Sequence, residues 1–104
     1  MSRQVVFAED ALVDLEEIVD YFAIQGGEVI QRFAKSLAAT ITLLRQTPEM
    51  GGKAMMRNSR LANVRLWQVR DFPRYIIFYR STEERLEILR VLHSSRDWPA
   101  ILDA

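Results

Sequence analysis

Cysteine is absent from the chain, so no disulfide framework, thiolate zinc site or cysteine nucleophile is available. Histidine occurs once, at position 93, which leaves metal binding to one imidazole and scattered carboxylates, and no metal site is expected. Three prolines and four glycines in 104 residues are too few for a linker or low-complexity segment. The longest unbroken apolar run, Tyr75-Ile76-Ile77-Phe78-Tyr79, falls far short of the ~20 residues that cross a bilayer. Met1-Ser2-Arg3-Gln4 lacks the apolar stretch of a signal peptide. Together with the missing cysteines, this predicts a soluble, cytoplasmic protein. Net charge is also absent, with 14 basic residues against 14 acidic ones.

Hydrophobic residues make up 49% of the chain, enough to build the core of a single domain over residues 1–104. The neutral total conceals a division. Residues 1–49 carry eight acids and four bases, whereas residues 50–104 carry ten bases and six acids. Residues 53–80 hold seven bases (Lys53, Arg57, Arg60, Arg65, Arg70, Arg74, Arg80) and one acid, Asp71. Twelve of the 14 bases are arginine, whose forked guanidinium suits carboxylate and phosphate. Either the two halves neutralise each other within one fold, or the basic half meets a charged macromolecular partner.

Arg3 to Phe7 reads as a first strand. From Ala8 to Ile24 the period is helical: Ala11, Leu12, Leu15, Ile18, Val19 and Phe22 fall on one side. Glu9, Asp10, Asp14, Glu16, Glu17 and Asp20 are expected on the opposite, solvated side, with Gly26-Gly27 as the stop. A second helix from Glu28 to Gln46 carries the stripe Ile30, Phe33, Leu37, Ile41 and Leu44, and Pro48 ends it. The short link makes the pair an antiparallel helical hairpin. After a loop over residues 49–62 come three strands, Asn63–Val69, Arg74–Arg80 and Arg85–His93, with connections short enough for antiparallel neighbours. The expected fold is α+β, in the order β-α-α-β-β-β, with the helical hairpin packed on one face of an antiparallel sheet.

Alternation places Arg74, Ile76, Phe78 and Arg80 on one strand face and Tyr75, Ile77 and Tyr79 on the other. Arg90 shares a face with Leu86, Ile88 and Leu92. An arginine among core residues must find a partner. That partner is internal (Asp71, Glu87 or Asp97) or an outside carboxylate or phosphate. His93, at the end of the last strand, is a candidate general acid or base and equally a candidate structural hydrogen-bonding group. Gly51-Gly52-Lys53 lacks the Ser or Thr and the upstream glycine of a phosphate loop, and no nucleophile-elbow pattern surrounds Ser94 and Ser95. Met50, Met55 and Met56 form either a soft contact surface or a loop packed back on the core.

Several stretches together resemble the ParE/RelE toxin superfamily. The opening Phe7-Ala8, Ala11, Asp14-Leu15, Glu17-Ile18 and Tyr21 is similar to the start of that family, as are Phe33, Leu37, Ile41 and the exit Leu44, Pro48, Gly51. Val69-Arg70-Asp71-Phe72-Pro73-Arg74-Tyr75 resembles its central hairpin, and Glu87-Ile88-Leu89-Arg90-Val91-Leu92-His93-Ser94-Ser95-Arg96-Asp97 its closing signature. The resemblance covers nearly the whole chain. It implies the toxin of a bacterial type II toxin–antitoxin system, neutralised by a cognate ParD-like antitoxin and linked with plasmid stabilisation. ParE-like members inhibit DNA gyrase by protein–protein contact, giving stalled cleavage complexes in which gyrase stays joined to DNA. RelE-like members are metal-free endoribonucleases that cut mRNA on the ribosome, for which Arg74 and Arg90 would stabilise charge and His93 would move the proton.

A second proton-transfer group is missing from the tail Trp98-Pro99-Ala100-Ile101-Leu102-Asp103-Ala104, and the Arg-Val-Leu-His ending resembles ParE-like members. The gyrase reading is therefore favoured over the ribonuclease reading, and no cofactor is expected. The antitoxin is expected to lay an extended segment and an amphipathic helix along the groove between hairpin and sheet, its acids meeting Arg65, Arg74, Arg80 or Arg90. Arg90, His93, Arg96, Asp97 and Trp98 are the expected contact with the target.

Overall fold

Alternation along the strand Phe72–Ser81 divides the molecule into two cores, because Ile77 and Tyr79 enter one and Phe78 the other. The structure is a computed structural model that describes residues 3–54 and 63–103. The elements are β1 (Gln4–Phe7), α1 (Glu9–Ala23), α2 (Gly27–Gln46), a 3-10 turn (Pro48–Met50), β2 (Gly52–Lys53), β3 (Arg65–Val69), β4 (Phe72–Ser81), β5 (Arg85–His93) and α3 (Trp98–Asp103). They build one five-stranded sheet in the order β1-β5-β4-β3-β2. Met55 and Met56 of the expected methionine surface, and Arg57 and Arg60 of the basic stretch, lie outside the described residues; Met50 packs on the core.

The meander is as expected, with β3, β4 and β5 pairing antiparallel. The first strand differs. β1 lies outside β5 and runs parallel to it, from Gln4 opposite Arg85 to Phe7 opposite Ile88. Two helices separate β1 from the rest of the sheet, long enough to return the chain for parallel pairing. Two further elements were not anticipated: β2 pairs with the start of β3, and the tail forms α3. No helix among the described residues is long and apolar enough to cross a membrane.

The helical hairpin covers one face of the sheet. Gly26, with φ of 122°, turns the chain between α1 and α2 in a conformation that side chains resist. Phe22 and Phe33 meet Phe72 and Tyr75 with ring centroids 5.1–5.9 Å apart, tilted or edge-on. Each such pair contributes about 0.5–1.5 kcal/mol beyond the burial of its area. On the other face, Phe78 and Leu92 with Leu66, Ile76 and Leu89 form a second core, capped by Trp98, Ile101 and Leu102 of α3. Trp98 lies 5.3 Å from the Phe78 ring.

A buried phenol fastens the chain between α2 and β2. The Tyr79 hydroxyl donates to the Pro48 carbonyl at 2.6 Å and accepts the Gly51 N–H at 3.0 Å. A Cβ at position 51 would collide with that hydroxyl, so glycine is required by close approach. At the β3–β4 turn Asp71 adopts φ of 64°, where Asp is better tolerated than most residues. Thr40 on α2 fastens this turn by accepting the Arg70 N–H at 2.9 Å.

Candidate functional site

Helix α1 is turned on its axis relative to its apolar pattern. Its buried residues are Ala11, Asp14, Ile18 and Phe22, and Asp14 is only 3% exposed. At 100° per residue, this buried arc is rotated roughly 50° from the centre of the apolar arc expected from Ala11 to Phe22. Asp14 therefore leaves the solvated face assigned to it, while Leu12 and Val19 move outward to 50% and 41% exposure.

Strand β5 supplies the cause. The ladder slips between Phe78 and Tyr79: Phe78 faces Arg90, Tyr79 faces Ile88, and Leu89 is left as the extra residue of a bulge. β1 ends opposite Ile88, so the edge of β5 beyond it lacks a strand neighbour. Asp14 fills that place. Its Oδ2 accepts Arg90 Nε at 2.8 Å and the Val91 N–H at 3.0 Å, and its Oδ1 accepts Arg90 Nη2 at 2.7 Å. Arg90 is held above its ordinary pKa by these hydrogen bonds, which outweigh the opposing effect of burial. The internal partner of Arg90 is thus Asp14, rather than Asp71, Glu87 or Asp97. The wheel carries a trace of this: Asp14 lies about 40° from Ile18, on the flank of the apolar arc.

Beside this pair a cleft opens where the second half of α1 meets the start of β4 and the end of β5. It comprises two adjoining hollows of about 140 and 330 Å³ that share Tyr21, Tyr75 and His93. Arg96 with Glu17 lines the first, and Arg74 the second. The Tyr75 and His93 rings stand perpendicular at 5.1 Å. Burial, reinforced by Tyr21, raises the Tyr75 pKa, so its phenol is neutral at physiological pH.

Hydrogen bonding assigns the His93 tautomer. Nδ1 accepts the Ser95 backbone N–H at 3.1 Å and lies 2.8 Å from Ser95 Oγ. A backbone N–H can only donate, so in the neutral ring the proton resides on Nε2. The open nitrogen of His93 is therefore a donor and does not present the lone pair of a general base.

The other expected site residues are dispersed. Arg65 donates to the Gly51 and Glu49 carbonyls at 2.6 and 3.3 Å and braces the chain before β2. Arg80 pairs with Glu87 at 3.2 Å on the face of the sheet away from the hairpin. Arg74 is exposed, and no side-chain hydrogen bond or ion pair engages it among the described residues; the same holds for Arg96. Arg65, Arg74, Arg80 and Arg90 therefore do not form one patch. Of the expected target contact, His93 and Arg96 line the cleft and Arg90 lies beside it. The Asp97 carbonyl accepts the Ile101 N–H at the start of α3, and Trp98 is on the far face. Tyr21 and Tyr75, which complete the cleft, were not anticipated; an aromatic in a strand or helix reads as core until its neighbours are placed.

The profile of a family described as the ParE toxin of the type II toxin–antitoxin system parDE matches residues 5–98. The chain belongs to the ParE toxin family. The matched span runs from β1 to the first residue of α3, so it contains the Asp14–Arg90 pair and the whole cleft. Among solved structures, the chromosomal ParDE TA system from P. aeruginosa is similar at a TM-score of 0.67, with 20% identity, 88% of this chain and 95% of that chain covered. At that identity the likeness is one of fold, and it agrees with two helices packed on a five-stranded sheet. None of the curated protein sequences matches the chain.

Proposed function

We propose that this ParE-family toxin inhibits DNA gyrase by protein–protein contact in the bacterial cytoplasm and is neutralised by a ParD-like antitoxin. Family membership supplies the toxin and implies an antitoxin. The observation that carries the choice of target is the Ser95 N–H held on His93 Nδ1, which leaves the open ring nitrogen as a donor. Metal-free RNA cleavage needs a cation free to meet the phosphorane and a group free to take the 2′-hydroxyl proton. Of the residues that would do this, Arg74 is unengaged among the described residues, but Arg90 gives Nε and Nη2 to Asp14. His93 presents Nε2–H, so the set offers no open lone pair for the 2′-hydroxyl proton. That missing base supports contact rather than RNA cleavage. Arg74 and Arg96, at the two ends of the cleft, are the proposed ionic contacts to the target, with His93 between them. Arg74, exposed and unengaged among the described residues, remains the expected arginine most available to acidic residues of the antitoxin.

The test places the purified toxin in two reactions side by side: gyrase supercoiling, and mRNA cleavage on ribosomes. Inhibition of supercoiling with intact mRNA is expected. Ribosome-dependent mRNA cleavage with unimpeded gyrase would replace this reading with the endoribonuclease one.

A further inference from the structure

The rotation of α1 that buries Asp14 has a second product. Leu12 and Val19 lie within about 20° of each other on the helix surface, with Leu15 beside them toward the core. Together with Glu16 and Asp20 they line an open hollow of about 540 Å³ on the outer side of the helix. Leu12 is 50% and Val19 41% exposed, and neither belongs to the two cores. A strip of apolar residues at spacings of three and four, uncovered on a folded helix, matches the stripe by which one amphipathic helix receives another.

Charge identifies the occupant. α1 carries six acids and no base from Glu9 to Ala23. Asp14 is consumed by Arg90, which leaves Glu9, Asp10, Glu16, Glu17 and Asp20 exposed. Glu9, Glu16 and Asp20 run along the solvent flank of the strip, about 40–80° from Leu12. A second copy of this chain, packing α1 on α1, would set these carboxylates against their own kind, which is destabilising. A helix with lysine or arginine beside its apolar residues would instead be attracted.

We propose that the Leu12–Leu15–Val19 strip of α1 docks a basic amphipathic helix of the antitoxin. This rests on the reading of the chain as an antitoxin-neutralised toxin. It is a contact separate from the groove between hairpin and sheet, and its charge is opposite to that of the acidic segment expected at Arg74. The antitoxin accordingly presents both signs: acids toward β4 and bases toward α1. The apolar strip supplies affinity, and its acidic flank keeps free toxin molecules from associating through the same surface.

The test measures affinity of the full-length toxin for the purified antitoxin encoded beside it. Two double variants are compared with wild type, Leu12→Ser/Val19→Ser and Glu16→Lys/Asp20→Lys. All four side chains are exposed, and the charge variants leave the apolar residues in place, so a folding defect in one pair does not remove the test. Each pair is expected to weaken binding at least about tenfold, and the charge pair to flatten the salt dependence. Wild-type binding with both variants within about twofold of it would overturn the strip as a docking site while leaving the functional reading intact. No binding by wild type would overturn both. Sedimentation distinguishes the remaining occupant: a wild-type dimer lost in Leu12→Ser/Val19→Ser, with antitoxin affinity unchanged, would assign the strip to a second copy and overturn the proposal.

Discussion

The carboxylate of Asp14 and the guanidinium of Arg90 meet through hydrogen bonds of 2.7 and 2.8 Å across 76 residues of chain, and the same carboxylate accepts the Val91 N–H. One side chain thus accompanies the rotation of α1, closes the free edge of β5 and occupies two nitrogens of the Arg90 guanidinium.

Breaking this pair from one side is expected to be costly. Arg90→Met leaves a buried carboxylate unpaired and should lower stability by about 3–5 kcal/mol in urea unfolding. The double variant Asp14→Leu/Arg90→Met, which removes both charges, should recover most of that loss. A single variant within about 1 kcal/mol of wild type would place the pair among ordinary surface ion pairs.

The Tyr79 hydroxyl is expected to matter more than its ring's small change suggests. Tyr79→Phe removes the acceptor for the Gly51 N–H and the donor to the Pro48 carbonyl, both buried, at a cost of about 1–3 kcal/mol. Melting temperature should fall by about 4–8 °C per kcal/mol for a domain of this size. An unchanged melting temperature would mean that the Pro48–Gly51 segment is anchored by other contacts.

Alkaline pH should unfold the protein through its buried phenols. Burial is the main cause raising the pKa values of Tyr79 and Tyr75 above 10.0 in the folded state. Above pH 10.0 the unfolded chain loses these protons first and binds fewer than the folded one, so stability falls as pH rises. Below that pH both states keep the protons and the contribution is constant. Urea midpoints from pH 8 to 11 should decline at the upper end, and less steeply for Tyr79→Phe; a midpoint rising with pH there would contradict the assignment.

Nitrogen chemical shifts should report His93 as the Nε2-protonated tautomer in the neutral ring. The constraint is the Ser95 N–H aimed at Nδ1. A neutral ring protonated on Nδ1 would remove the argument that its lone pair is engaged and restore His93 as a candidate base.

The elements were legible because their periods are clean: the α2 stripe of Phe33, Ile41 and Leu44 is buried as read, and so is the alternation of Ile77, Phe78 and Tyr79. Parallel pairing of β1 was not, because a four-residue strand carries no record of which edge it will join. The β5 bulge was hidden for a related reason. Strict alternation puts Arg90 with Leu86 and Ile88, and the extra residue Leu89 shows only when β4 is laid beside it. Asp14 was misplaced because an acid on an amphipathic helix reads as solvated until its partner, 76 residues away, is known. The arginines illustrate the limit of counting charge. The sequence concentrates them in one stretch, yet the fold spreads Arg65, Arg74 and Arg80 over separate surfaces and leaves Arg74 and Arg96 at the cleft.

The cleft between α1 and the ends of β4 and β5 is the proposed grip on gyrase. Its most direct measurement is the amount of covalent gyrase–DNA complex trapped by wild-type toxin and by Arg74→Glu/Arg96→Glu at equal concentration. Wild type should trap the complex, and the double variant should need at least about tenfold more protein to do so while melting at the wild-type temperature. Equal trapping by both proteins would move the contact off the cleft, and no trapping by wild type would contradict gyrase as the target.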